Sequence, residues 1–117
     1  MNEKTKIYTQ DELYENEIDT DAYELNTEAG EFVGMLKLKA WTSKPRTNGH
    51  GKAIRAFFDL DDERKIIAMV QPFRLEQIAT ISAAEIGELI RLRFETSSSG
   101  FVFLAELEVL SIPEEIK

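Results

Sequence analysis

Apolar and polar residues alternate along most of the chain after residue 32, with the period of two that is typical of a half-buried β-strand. The clearest example is the segment 35–42. One of its faces carries Leu36, Leu38 and Ala40, and the other carries Lys37, Lys39 and Trp41. This pattern predicts a strand that packs on a core with its apolar face and presents cations and an aromatic ring to solvent with the other.

Further strands are predicted downstream, at residues 54–60, 65–71, 88–95 and 101–110. Short runs that favour turns separate them, at residues 61–63 and 97–100. Pro72 ends the third strand because proline donates no ladder hydrogen bond, and the apolar spacing over 73–81 predicts a short helix. Nearer the start of the chain, Thr9 and Glu12 have the spacing of a helix capping box.

The alternation also assigns side chains to faces. The residues predicted to point inward from the second, fourth and fifth strands are Ile54, Ala56, Phe58, Leu60, Ile90, Leu92, Phe94, Phe103, Ala105, Leu107 and Val109. Arg55 and Phe57 then point outward from the second strand. Arg91 and Arg93 point outward from the fourth strand, where we expect them to pair with glutamates of the fifth.

Five amphipathic strands with a helix between the third and the fourth need closure or a partner sheet to bury their apolar faces. The order and size match a mainly β fold of the OB type, a five-stranded Greek-key barrel. A six-stranded sandwich or another small barrel is the alternative. The predicted division of the 117-residue chain is an acidic, partly flexible arm over 1–31, the barrel over 32–112 and a tail over 113–117.

Charge is distributed unevenly, and this changes how the net charge of -8 is interpreted. Residues 1–31 hold ten acidic residues against Lys4 and Lys6, whereas residues 32–56 hold six cations and no acid. The overall acidity argues against bulk electrostatic coating of nucleic acid or of an anionic membrane. The local basic block favours a binding surface on the first two strands and the loop between them.

The residues of this block resemble a known family. Residues 34–71 are similar to the first three strands of the OB-type anticodon-binding domain of class II aminoacyl-tRNA synthetases. The similarity rests on the aromatic strand around Trp41, the loop arginine Arg46, the pair Gly51-Lys52 and the run 56–62. Ala40 and Asp61 depart from the family pattern, which has glycine and arginine at the corresponding places.

The resemblance implies a binding mode for single-stranded nucleic acid. It implies that Phe57 stacks on a base, and that Arg46 and Trp41 contribute contacts to backbone and bases. Strand spacing independently places aromatic and basic residues together, as single-strand binding requires. The candidate nucleic-acid-binding residues are Lys37, Lys39, Trp41, Lys44, Arg46, Lys52, Arg55 and Phe57.

Other chemistry has little support in the sequence. The chain has no cysteine and a single histidine, His50, which excludes thiolate metal sites, disulfides and multi-histidine sites within one chain. The glycine-containing loop at residues 49–53 lacks the first glycine and the final hydroxyl of a phosphate-binding loop, and the acidic run at 59–63 lacks the glycine and distal glutamate of a calcium loop. The serine run at 97–99 has no base nearby in the sequence for nucleophilic catalysis. We therefore expect no enzyme activity, no metal and no cofactor. Without a spanning segment or an apolar leader we expect a cytoplasmic protein.

Two functions remain. The first is a non-catalytic OB-fold protein that binds single-stranded DNA or RNA through the basic and aromatic face. In that case the acidic arm could compete for the face, so deleting residues 1–31 would tighten binding. The second is an OB-like protein–protein adaptor or accessory subunit that docks through the barrel edge and the acidic arm. Exposed aromatic residues in a positive groove favour the first function, and buried aromatic residues favour the second.

Overall fold

The computed structural model describes residues 3–42 and 51–111. The chain opens with a 3₁₀ turn at Glu3–Thr5 and a short helix α1 at Gln10–Glu15. The strands are β1 at Glu24–Leu25, β2 at Gly30–Trp41, β3 at Ile54–Leu60, β4 at Lys65–Val70, β5 at Leu89–Thr96 and β6 at Val102–Ser111. A second helix, α2, occupies Leu75–Ala83 between β4 and β5.

The six strands form one sheet in the order β1-β4-β3-β2-β5-β6. Every neighbouring pair is antiparallel except β1 and β4, which are parallel. The prediction of a mainly β protein with a helix after its third long strand is confirmed. The sheet has a sixth, two-residue strand from the arm, and it is not closed, because β1 and β6 are its two edges.

The main core lies on the side of the sheet that packs against α2. It contains Leu36 of β2, Phe58 of β3 and Leu92 of β5, together with Ile81 of α2. The inward assignments for β3 and β5 are confirmed, since every inward residue predicted there is buried in this core. Close packing reaches the backbone at Gly34, where an added Cβ would lie 2.9 Å from the Cβ of Phe58.

A β-bulge at Lys37 changes the faces of β2. Leu36 pairs with Phe58 and Leu38 pairs with Phe57, so Lys37 is an extra residue without a partner on β3. An insertion of one residue exchanges the two faces for the rest of the strand. The predicted faces of β2 are therefore correct up to Lys37 and reversed from Leu38 onward, so Lys39 points to the main core.

A second bulge lies at Ala105 of β6. Arg93 pairs with Glu106 while the next residue of β5 pairs with Leu104, which leaves Ala105 without a partner. The inward positions at the start of β6 are thus shifted by one. Leu104 is buried in the core, where Phe103 and Ala105 were the prediction. Beyond the bulge, Leu107 and Val109 pack against the core as predicted.

Most of the arm packs on the opposite side of the sheet, while Ile7 packs against the main core. The backbone of Tyr8 bonds to β2 twice, accepting from Trp41 N at 2.8 Å and donating to Lys39 O at 2.9 Å. Helix α1 begins with the predicted capping box between Thr9 and Glu12. A second, smaller apolar cluster joins the arm to the sheet and consists of Leu13, Ala40 and Phe57, with Tyr8, Ile18, Tyr23, Leu38 and Ile67 at its margin.

Candidate nucleic-acid interface

Phe57, the predicted base-stacking residue, is completely buried beneath the arm. Its relative exposure is 0%. The ring of Tyr23 meets it edge-on, with 5.3 Å between the ring centroids and an angle of 87° between the planes. Phe57 does lie on the side of β3 that faces away from the main core, as predicted, but the arm covers that side. Its stacking face is therefore not open to solvent.

Lys39 is buried as well, and the prediction that it points to solvent is wrong because of the bulge at Lys37. Its relative exposure is 0%. The Nζ atom donates hydrogen bonds to the carbonyl oxygens of Ile81, Ser82 and Ala84, at 2.9, 3.1 and 2.7 Å. These carbonyls end α2, so the ammonium group sits at the negative end of the helix dipole.

Burial lowers the pKa of Lys39 from 10.5 to about 8, because the charged form loses its hydration. The carboxylates of Glu88 and Glu85 act in the opposite direction and limit the fall. Lys39 thus joins β2 to the end of α2. It is not available to a phosphate.

Trp41 and Arg55 are both partly covered. Trp41 is half-buried against the main core, on the side that the bulge assigns to it. The guanidinium of Arg55 donates to Gln10 Oε1 of the arm at 2.9 Å and to the carbonyl of Trp41 at 3.2 Å. It also lies 5.7 Å from the centre of the Phe57 ring, and its burial lowers the pKa of Arg55. Gln10 and Tyr23 of the arm therefore already engage Arg55 and Phe57.

The remaining candidate cations do not complete a groove in the described part of the chain. Lys37 and Lys52 are exposed, while Lys44 and Arg46, like His50, lie outside the described residues. Elsewhere on the sheet, Arg91 pairs with Glu108 and Arg93 pairs with Glu106, as predicted. Within residues 3–42 and 51–111, the structure does not bring the six described candidates together on one open face.

The arm is held to the sheet by polar contacts too. The hydroxyl of Tyr23 donates to Asp59 at 2.7 Å, and Lys65 Nζ lies 3.2 Å from the same carboxylate oxygen. Burial and the hydrogen bond to Asp59 raise the pKa of Tyr23 to about 12. These contacts add to the apolar cluster, so the arm rests on the outer face of β2 and β3 through both kinds of interaction.

Exposed aromatic residues do occur, but on a different surface. Phe101 is 73% exposed and Phe73 is 48% exposed. Both line a cleft of about 730 Å³ between β4 and β6, which we call the seam cleft; its other lining residues include Met69, Gln71, Arg74 and Phe103. Strand alternation did not reveal it, because these residues come from a turn, a helix start and a bulged strand end. The sequence signal was an aromatic residue directly after each of Pro72 and Gly100.

The residues that the structure describes contain no group of three or more histidine, cysteine, aspartate or glutamate side chains placed to hold a metal ion. Neither described helix is long and apolar enough to span a lipid bilayer.

Comparisons with known proteins identify no relative of the chain, so its function must be inferred from the chemistry of the surfaces described above. No protein-family model, no curated protein and no solved structure matches the chain significantly.

Proposed function

We propose that the chain is an OB-like adaptor that binds a partner protein and catalyses no reaction. The proposed fold type is a partly open OB barrel. Its support is the run of five long strands with a helix between the third and fourth of them. In this assignment β1 is an addition from the arm, paired to the outer edge of β4.

The observation that carries the adaptor function is the burial of Phe57 under Tyr23. A single-strand binding face needs open aromatic rings and cations that follow the backbone. Here the ring of Phe57 is covered by the arm of the same chain, and the ammonium group of Lys39 donates its hydrogen bonds to carbonyl oxygens at the end of α2. Two of the exposed aromatic residues, Phe73 and Phe101, line the seam cleft instead. Aromatic residues in a cleft are the usual energetic centres of protein interfaces.

The test is a quantitative capture experiment in cells that produce the protein. The tagged chain is compared with a Phe73→Ser/Phe101→Ser variant and with a Tyr14→Ser variant. Tyr14 is the matched control, because it is 85% exposed and lies on α1, away from the seam cleft. We expect one defined protein to be retained by the wild type and by Tyr14→Ser, and lost by the double variant. Equal recovery with all three chains, or no specific partner, would contradict the proposal.

Nucleic-acid binding remains a second candidate because of what the arm touches. Tyr23 lies against Phe57 and Gln10 binds Arg55, so the arm occupies the positions that a base and a phosphate would take. Binding would then require the arm to leave. Leu13→Asp in the full chain should release α1, because Leu13 is the buried contact of that helix.

Fluorescence anisotropy with labelled oligo-dT and oligo-U tests this second candidate. The wild type and the Leu13→Asp variant are titrated at 50 and 200 mM salt. Salt-dependent binding that appears only in the variant would support a nucleic-acid face guarded by the arm. No binding by either chain at 50 mM salt would reject it.

A further inference from the structure

The seam cleft is a mainly apolar opening that lies where the sheet does not close. Its walls come from the end of β4, the start of α2 and the start of β6. Phe94 and Leu104, which belong to the main core, form part of its lining. At about 730 Å³ it is large enough to receive one or two bulky side chains.

Arg74 is the charged residue of this cleft. Its guanidinium carbon lies 5.5 Å from the centre of the Phe73 ring and 5.1 Å from the centre of the Phe103 ring. Two aromatic rings thus restrict the guanidinium group beside the apolar opening. Within residues 3–42 and 51–111 no carboxylate forms an ion pair with Arg74, whereas Arg64, Arg91 and Arg93 all have one. Its charge is therefore left for a ligand.

Gln71 supplies a second polar feature of the cleft. Its Oε1 atom is buried and accepts no hydrogen bond from the described residues. A buried acceptor without a donor is costly, so a bound molecule that offers an N–H group would gain from meeting it. An amide of a peptide backbone is such a donor.

We infer that the seam cleft binds a peptide segment of a partner protein that carries a bulky apolar side chain close to a carboxylate. The side chain would enter between Phe73, Phe101 and Phe103, and the carboxylate would bind Arg74. The Oε1 atom of Gln71 would accept a hydrogen bond from an amide of the segment. This inference rests on the adaptor function and gives its partner a stated chemistry.

Charge complementarity selects this occupant. One unpaired arginine suits one carboxylate, and a planar guanidinium binds a carboxylate in a bidentate manner. A nucleic acid strand would need several cations along its path. The described surface beside the cleft offers no such path, since Arg64 and Lys65 lie there together with Glu24 and Glu28, and Arg64 is paired with Glu28. A short acidic and apolar peptide needs only the local charge of Arg74.

The test selects peptides from a random 12-residue phage-displayed library on the full chain. We expect the enriched peptides to share an aromatic or large aliphatic residue within a few positions of an aspartate, a glutamate or a free C-terminus.

A synthetic peptide of that sequence is then titrated against the wild type, Arg74→Gln and Arg74→Lys. Arg74→Gln should weaken binding at least tenfold, and Arg74→Lys should weaken it less. Changing the carboxylate of the peptide to the amide should cause the same loss with wild type and no further loss with Arg74→Gln.

Arg64→Gln is the matched control. Arg64 also lies over a phenylalanine ring, 5.2 Å from the centre of Phe32, but it pairs with Glu28 outside the cleft. Arg64→Gln should leave the peptide affinity unchanged. Phe101→Ser tests the apolar part, and it should fold because the ring is mostly exposed.

Each other outcome overturns the inference. Enriched peptides without an acid, or affinity that Arg74→Gln leaves unchanged, would remove the carboxylate site. Competition by oligo-dT would reassign the cleft to nucleic acid, and self-association lost in Phe101→Ser would reassign it to a second copy of the chain. If the library gives no peptide but the capture experiment finds a partner, the inference fails and the adaptor function stands. If both give nothing, both fail.

Discussion

At the scale of one residue, Lys39 was predicted to be a surface cation, but in the structure it is buried and has a structural role. The ammonium group is surrounded by three carbonyl oxygens at the end of α2 and has no exposure to solvent. Its four-carbon chain crosses the core side of the sheet beside buried aliphatic residues. The same atom that would have bound phosphate on the outer face therefore connects β2 to α2.

This placement predicts an unusual pH dependence of stability. The pKa of Lys39 is about 8 in the folded chain and near 10.5 when unfolded. Between these values the unfolded chain holds more protons, so raising the pH should stabilise the fold. The gain should be on the order of 1 kcal/mol per pH unit at most. Urea unfolding of wild type and Lys39→Met between pH 8 and 10 measures it.

The Lys39→Met variant should lack this rise, because no titrating group remains at position 39. Above pH 10 the effect of Tyr23 has the opposite sign. Its pKa is raised to about 12 in the folded chain, so the folded state keeps a proton that the unfolded state loses, and stability should fall from pH 10 to 12. A wild-type stability that falls between pH 8 and 10 would contradict the burial of Lys39.

Gly34 gives a second prediction at this scale. An alanine Cβ there would lie 2.9 Å from the Cβ of Phe58 and 3.0 Å from Cδ2 of Leu60. The Phe58 atom is attached directly to the backbone and cannot rotate away. Gly34→Ala should therefore lower the free energy of unfolding by about 1–3 kcal/mol through overpacking. Gly100→Asn is a useful contrast, because an added Cβ at Gly100 meets no atom within 4 Å, so any loss of stability there comes from its φ of 95° and not from overpacking. An unfolding free energy unchanged by Gly34→Ala would mean that β2 and β3 are less closely packed.

At the scale of elements, the alternating pattern predicted the positions of β3 to β6 and of α2 well, whereas β2 begins at Gly30, five residues before the strand predicted over 35–42. Helix α2 begins two residues later than the pattern suggested, and β5 and β6 agree with it to within a residue or so. The pattern could not show the bulges at Lys37 and Ala105, because an extra residue in a strand leaves the local composition unchanged. Each bulge exchanges the two faces on one of its sides, after Lys37 in β2 and before Ala105 in β6, and so Lys39 and Phe103 were assigned to the wrong sides.

The arm was harder to predict from sequence for a different reason. Its contacts with the sheet come from single residues far apart in the chain, such as Tyr8, Leu13 and Tyr23. No periodic pattern marks them. The strand β2 also begins at Gly30, inside the range 1–31 assigned to the arm, and its first residues pair with β5. A deletion that leaves both β1 and β2 intact must therefore end before Glu24.

The packing of the arm on β3 predicts the energetic role of Phe57. An exposed base-stacking ring could be removed at little cost to stability, whereas a fully buried ring cannot. Phe57→Ala should lower the free energy of unfolding by about 3–5 kcal/mol. Tyr14→Ala, on the exposed side of α1, should change it by less than about 0.5 kcal/mol. Chemical denaturation of both variants measures the difference, and a small loss for Phe57→Ala would mean that the arm does not cover the face.

The burial of Phe57 also determines which variants can be used to test function. A Phe57→Ala variant would be strongly destabilised, so a loss of binding by this variant cannot identify a nucleic-acid site. Substitutions at Lys37 and Lys52 change exposed cations without disturbing the core. Phe101 and Arg74 serve the same purpose at the seam cleft.

For the whole molecule, the sequence indicated the charge asymmetry correctly but could not show where the charges lie in space. The basic block of residues 32–56 suggested one continuous cationic face. In the structure its described cations are divided between the core, the arm contact and solvent, as Lys39, Arg55 and Lys37 illustrate. Two of the exposed aromatic residues, Phe73 and Phe101, lie at the seam cleft, whose form depends on how β4 and β6 approach each other.

The most direct test of the adaptor account is site-specific photo-crosslinking of the full chain in cells that produce it. A photoreactive amino acid is placed in turn at position 101 in the seam cleft, at position 37 on the predicted basic face and at position 14 on α1. The account predicts a discrete crosslinked protein from position 101 and none from positions 37 and 14. Crosslinks to nucleic acid from position 37, with none to protein from position 101, would contradict it.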